Sequence, residues 1–260
     1  VGDVLDAILA RKRREVARRR RRRERFADPP RRVPLALDRL RREDRLRVLA
    51  EVKFRSPSAG PIRSRRPGEG VRVARGYAAA GVDGISVLAD GPGFGGSVLE
   101  VRRVARAVAG VPVLFKEFVL DEVQLDAAAH AGAALVLLLV RALPRDALPR
   151  LIAASRRRGL VPLVEAANRA EVDRALEAGA RVVGVNARDL ATFRVDFDAA
   201  QRALESVPKD RVALHLSGVV SAETFARVAA GRADGVLVGS ALMASPDPGA
   251  TLAAWREAAS

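Results

Sequence analysis

The chain has 260 residues, 49% of them hydrophobic, and a formal net charge of +15 at pH 7. That length and composition suffice for one large core, and no run of about 18 or more residues is both apolar and uncharged, which excludes a membrane-spanning helix. The absence of cysteine excludes disulfide scaffolding, thiolate catalysis and cysteine-ligated metals, and His130 and His215 are too few for a histidine-rich metal site.

In chain order, residues 3–26 place Val4, Leu5, Ile8, Leu9 and Val16 at helical spacing ahead of an arginine run from Arg18 to Arg23. Pro29, Pro30 and Pro34 break that helix, and a short second helix is expected over residues 35–45. The first apolar stretch is short, carries Asp6 and precedes the basic residues. That is not the pattern of a secretory signal, so a cytoplasmic location is expected.

From residue 47 onward, short apolar runs alternate with helical stretches. Strands are predicted over residues 47–52, 84–88, 111–115, 134–140, 160–164, 181–185, 212–216 and 235–238. Helices are predicted over residues 71–80, 97–109, 122–131, 144–158, 169–178, 198–206, 222–230 and 248–258. Continuous apolar strands buried on both faces mean a parallel sheet, and eight strand–helix units favour closure into a (β/α)8 or TIM barrel. The chain is therefore read as a single barrel domain over 1–260, with residues 1–46 a basic helical extension packed on or near the barrel mouth. Gly81, Gly132, Gly179 and Gly231 each follow a predicted helix and suit the left-handed turn into the next strand.

Of the 46 basic residues only Lys12, Lys53, Lys116 and Lys209 are lysines. Arginine cannot release its proton near neutral pH, whereas lysine can when its surroundings lower its pKa, so the lysines merit attention. Lys53 and Lys116 fall at strand ends. Active sites of barrels gather at the C-terminal ends of the strands. Glu51 and Lys53 share one face of the first strand, Lys116 ends the third, Glu165 follows the fifth, and Asn186 and Arg188 follow the sixth. After strands seven and eight come Ser217-Gly218 and Gly239-Ser240, where backbone N–H groups and hydroxyls can hold a phosphate.

These residues carry a family resemblance. Ala50-Glu51-Val52-Lys53 with Ser56-Pro57-Ser58, Ser86-Val87-Leu88 with Phe94-Gly95-Gly96-Ser97, Lys116-Glu117-Phe118, Asn186-Ala187-Arg188-Asp189-Leu190 and Val238-Gly239-Ser240-Ala241-Leu242-Met243 closely resemble indole-3-glycerol-phosphate synthase, in order over nearly the whole chain. The resemblance implies a cofactor-free carboxy-lyase of tryptophan biosynthesis. It would convert 1-(2-carboxyphenylamino)-1-deoxyribulose 5-phosphate to indole-3-glycerol phosphate, with loss of carbon dioxide and water. It implies Lys116 as general acid at ring closure, Glu165 as general base in dehydration, Lys53 as second acid or electrostatic clamp, and Glu51 as the group that keeps the lysines protonated. Ser58, Asn186 and Arg188 would bind the substrate, Phe94 and Phe118 would flank its aromatic ring, and Ser217, Gly218, Gly239 and Ser240 would hold its phosphate. Residues 55–66 would form a mobile loop after the first strand.

One position departs from the family pattern: Leu216 stands where the family usually has glutamate. Its loss is expected to lower the lysine pKa values relative to the family, with activity reduced but retained. Glu117 replaces the commoner aspartate, a change of side-chain length. His215 is expected to point outward, in a structural role, because Leu216 points in. His130 is expected to cap or solvate a helix end, and Tyr77 and Trp255 to pack.

Two alternatives compete with that reading. A class I aldolase-like barrel would use a desolvated lysine to form a Schiff base. A paralogue with reduced or altered activity would keep the fold and part of the site. The arginine run invites a nucleic-acid reading, but it has no aromatic residues for base stacking, so no specific nucleic-acid partner and no membrane partner are expected. A small phosphorylated substrate and a monomer or weak homo-oligomer are expected.

Overall fold

A computed structural model describes residues 4–22, 35–56, 60–189 and 192–259. Pro29, Pro30, Pro34, Ser58 and Leu190 lie outside them, as do the ends of the predicted first helix. That helix, α1, runs Val4–Arg22. Leu5, Leu9, Lys12 and Val16 are its buried residues, a stripe at helical spacing.

Eight parallel strands follow: β1 (Arg47–Val52), β2 (Gly84–Leu88), β3 (Val113–Lys116), β4 (Leu135–Leu139), β5 (Val161–Ala166), β6 (Val182–Asn186), β7 (Val212–Leu216) and β8 (Gly235–Val238). Each pairs with its neighbours in sequence, and β8 pairs with β1, closing the barrel. The helices that follow the strands are α2 (Glu69–Ala79), α3 (Val98–Ala107), α4 (Glu122–His130), α5 (Ala147–Arg157), α6 (Arg169–Glu177), α7 (Phe197–Glu205), α8 (Ala222–Ala229) and α9 (Pro248–Glu257).

Most of these helices start where a side-chain oxygen meets an otherwise unpaired backbone N–H. Ser97, Asp121, Asn168, Asp196 and Asp247 each accept such a bond, and Ser221 with Thr224 forms a reciprocal capping box.

Two differences from the predicted elements have identifiable causes, one local and one tertiary. Strand β3 begins at Val113 rather than residue 111, because Pro112 has no N–H to give to the ladder. Residues 35–45 form only a one-turn 3-10 helix, Leu37–Leu40. Arg41 beyond it donates to the carbonyls of Lys209 and Asp210, and Arg42 to that of Ala229, so tertiary anchors hold the segment in place of helical bonds. Leu40 is fully buried among the inward-facing barrel leucines.

Gly81, Gly132 and Gly179 take the expected left-handed conformation, with φ of 68°, 84° and 84°. Gly231 does not: its φ is not positive, and a Cβ there would lie 2.6 Å from Gln201 Oε1, the movable end of a side chain. Tyr77 and Trp255 are buried as expected, the latter against the Phe225 ring at 5.9 Å. His130, the last residue of α4, bonds the Asp126 carbonyl.

Candidate active site

Barrel closure brings residues from alternate strands into shared layers, because each step from one odd strand to the next advances the register by two residues. Glu51 is level with Ser86, and Ser86 with Leu114, so its layer partner on β3 is Lys116. Continuing through the register of β4 to β8 reaches Glu165 on β5 and Leu216 on β7 before returning to Glu51. Four inward residues, Glu51, Lys116, Glu165 and Leu216, therefore share one layer at the mouth. Leu216 is 1% exposed and packs against the backbone of Gly184. It takes the position of a fourth polar group.

Glu51 is the hub of this layer. Its Oε2 accepts from Lys116 Nζ at 2.6 Å and from Ser86 Oγ at 3.2 Å, and its Oε1 pairs with Lys53 Nζ at 2.9 Å. Tyr77 OH donates to its backbone carbonyl from the helical layer. Burial alone would raise the Glu51 carboxyl, but the two ammonium groups outweigh it and hold it at about 2. Burial alone would lower Lys116, and Glu51 with Glu165 raises it above the ordinary lysine value. Lys116 thus keeps its proton with Leu216 in the fourth place of the layer, since the two flanking carboxylates suffice. A Schiff-base lysine needs the opposite shift, toward the free amine.

Glu165 is buried, and that burial raises its carboxyl above the usual range, against the pull of Lys116 and the Asn186 amide. Asn186 Nδ2 donates to Glu165 Oε1 at 2.9 Å, and Asn186 Oδ1 accepts from the Arg188 backbone N–H at 3.0 Å. Arg188 in turn bonds the Phe193 carbonyl at 2.9 Å. Asn186 therefore links the predicted base to the predicted substrate-binding arginine.

Glu51, Lys53, Lys116, Glu165, Asn186 and Arg188 open on one cavity of about 140 Å³, lined also by Phe94, Phe118, Ser217, Gly218, Gly239 and Ser240. Phe94 and Phe118 stand with centroids 6.1 Å apart at 38°. On the opposite wall, Ser217 and Gly218 are both left-handed, with φ of 66° and 81°. Gly239 precedes the short helix Ser240–Ala244. A Cβ at Gly239 would lie 2.8 Å from Glu51 Oε1 and 3.1 Å from Lys53 Nζ, so the ion pair itself requires glycine here. Of the predicted site residues only Ser58 lies outside the described residues. Residues 55–56 and 60–61 pair as a small hairpin, and Ser56 lines the cavity.

His215 points outward as expected, fully buried with its ring 4.9 Å from Phe197. Its Nε2 lies 3.0 Å from the Ser217 carbonyl. Burial drives its pKa down to about 4 from 6.5, so the ring is neutral when folded. The unfolded chain then binds the extra proton between those values. Stability from this group is complete above pH 6.5 and is lost as the pH falls towards 4. The expected loss is about 2 kcal/mol between pH 7.5 and 5.0, growing to about 3 kcal/mol below pH 4. Urea unfolding at pH 7.5 and 5.0, compared with His215→Leu, measures it; equal pH slopes in the two proteins would contradict it.

Sequence reasoning gave no site role to four groups. Asp90, Glu117 and Phe193 line the cavity, and Lys12 reaches the mouth from α1. Asp90 stands just beyond the end of β2, so the strand-end rule covers it. Lys12 falls on the apolar stripe of Leu5, Leu9 and Val16, which marks it as buried. Phe193, at φ 60° in an irregular loop, carries no local signal. Among the described residues no cluster of metal-ligating side chains occurs.

The chain matches the family profile "Indole-3-glycerol phosphate synthase" over residues 5–254. It is 39% identical to the indole-3-glycerol phosphate synthase of Opitutus terrae over 98% of both chains. It is 45% identical to indole-3-glycerol phosphate synthase 2 of Streptomyces coelicolor over 81% of each. Among solved structures, 3-hexulose-6-phosphate synthase from Salmonella typhimurium superposes with a TM-score of 0.67 at 19% identity, covering 82% of this chain and 98% of that one, a likeness of fold alone. A barrel with this mouth, matched by the family profile over residues 5–254 and by these relatives over 81% or more of its length, belongs to the indole-3-glycerol-phosphate synthase family.

Proposed function

We propose that the chain forms indole-3-glycerol phosphate from 1-(2-carboxyphenylamino)-1-deoxyribulose 5-phosphate, with Lys116 as the ring-closing acid. The observation that carries this reading is the shared layer of Lys116, Glu51 and Glu165, set between an aromatic wall and a glycine–serine wall. The substrate's aryl group lies by Phe94 and Phe118, and its phosphate meets Ser217, Gly218, Gly239 and Ser240. Asn186 and Arg188 hold the polar groups between.

As the carboxylate-bearing ring carbon attacks the ketone, Lys116 gives its proton to the ketone oxygen. A raised lysine pKa keeps that acid charged at neutral pH. Loss of carbon dioxide restores aromaticity. Dehydration then needs a proton delivered to the leaving hydroxyl and one taken from the neighbouring carbon. Lys53 supplies the acid or steadies the charge, and Glu165, its pKa moved towards neutrality, is the base.

In this reading the enzyme works in the cytoplasm as a monomer or weak homo-oligomer, without a nucleic-acid partner. Several α1 arginines are engaged within the chain: Arg11 pairs with Asp90, Arg19 with Glu15 and Arg20 with Asp121. No described helix is long and apolar enough to cross a membrane.

The test is a fluorescence assay of indole formation with simultaneous measurement of released carbon dioxide. One carbon dioxide per indole is expected, and no lysine adduct after borohydride quenching with substrate present. Absence of indole product would refute the reading.

Leu216→Glu would add the missing carboxylate to the layer, with little change in side-chain length. It should raise the pKa of Lys116 further and, by like-charge repulsion, that of Glu165, moving both limbs of the kcat/KM profile to higher pH. A gain in kcat of about threefold is expected. An unchanged profile and rate would show that Leu216 costs this enzyme nothing.

A further inference from the structure

We propose that Lys12 is a positioning residue for the aromatic wall, setting the gap between Phe94 and Phe118 from α1. Its ammonium lies 2.9 Å from Glu117 Oε2, 3.1 Å from Asp90 Oδ1 and 2.8 Å from Glu15 Oε2. The ammonium donates hydrogen bonds to Glu117 and Glu15 and forms an ion pair with Asp90. Lys12 is 1% exposed, Asp90 1% and Glu117 4%, so these charges are held where water cannot compensate for a lost partner.

Each of the two strand-end carboxylates divides its oxygens in the same way. Asp90 turns Oδ1 to α1, where it accepts from Arg11 at 2.7 Å and lies 3.1 Å from the Lys12 ammonium, and through Oδ2 it accepts the Gly93 backbone N–H at 2.9 Å, capping the short helix Gly91–Phe94. Glu117 turns Oε2 to Lys12 and, through Oε1, accepts the Phe118 backbone N–H at 2.8 Å. One ammonium therefore cross-links the two backbone segments that present the two rings. Leu5 and Leu9 of α1 belong to the same apolar cluster as Phe118, which fixes the helix carrying Lys12 over the mouth. The longer arm of glutamate at 117 lets one side chain reach both its own neighbouring N–H and Lys12.

The proposal rests on the reading that these rings seat the substrate's aryl group. It predicts a binding defect with chemistry preserved, because Lys116, Glu51 and Glu165 take no part in the cross-link. Steady-state kinetics of Lys12→Met, Glu117→Ala and Glu117→Gln test it, with thermal unfolding to confirm the fold and binding of indole-3-glycerol phosphate followed by its fluorescence. Lys12→Met and Glu117→Ala should raise KM about tenfold with kcat within about threefold of wild type, and the double variant should be no worse than the poorer single one. Glu117→Gln keeps one acceptor oxygen and puts an N–H donor in place of the other, so one of the two contacts survives and its KM should rise about threefold, between wild type and Glu117→Ala. Where Lys12→Met does not fold, the comparison of Glu117→Ala with Glu117→Gln decides: equal KM values overturn the proposal. So does a kcat that falls in proportion to the rise in KM. A wild type that neither turns over nor binds product overturns the functional reading and this proposal with it, whereas unchanged KM in variants of an active wild type overturns this proposal alone.

Discussion

Lys116→Ala is expected to lower kcat by about a thousandfold while leaving KM within about threefold, since it removes a proton donor rather than a binding contact. Ring closure places negative charge on the ketone oxygen, and in the proposed mechanism Lys116 is the half-buried acid whose two neighbouring carboxylates keep it charged. Without it, only the bound geometry and Lys53 remain to lower the barrier. The fold should persist, because the mouth is a small part of a barrel whose lower layers are leucine and valine. Indole fluorescence gives the rate and circular dichroism the fold. A kcat within tenfold of wild type in a folded variant would remove Lys116 from the role of acid.

Glu51→Gln is expected to have nearly as large an effect by a different route. Glu51 holds Lys53 and Lys116 through separate oxygens, and its own carboxyl is kept at about 2, so its charge is present throughout the working pH range. The amide leaves two ammonium groups without their shared counter-ion, and the burial that already disfavours the charged lysine is no longer outweighed. Lys116 then loses its proton at lower pH. The alkaline limb of the kcat/KM profile should move down by about one unit or more, and kcat should fall by about a hundredfold. Breaking this pair should also cost about 3 kcal/mol of stability, as an uncompensated buried charge does. An unchanged alkaline limb would mean that another group sets the lysine's proton affinity.

Much of the fold and half of the chemistry could be read from consecutive residues. Apolar runs such as Leu135–Leu139, short and alternating with helical stretches, fit strands buried on both faces, and Lys53, Lys116 and Glu165 announce themselves by standing at the ends of such runs. Residues 35–45 were less legible. Their helical spacing is real, yet Arg41 and Arg42 find carbonyl partners more than 160 residues away, and those bonds override a weak local preference.

The sequence by itself determined the eight alternating units, the inward face of each strand and the outward turn of His215, because these follow from two backbone periodicities expressed over a few neighbouring residues. Only the tertiary structure decided which of the inward groups meet. That Leu216 completes the layer of Glu51, Lys116 and Glu165 depends on the stagger at which the barrel closes, a property of all eight strands together. That Lys12 meets Glu117, 105 residues away, depends on α1 lying across the mouth. Both contacts are made between segments whose separation along the chain is large, and the physical reason they form is the shared burial that closure imposes.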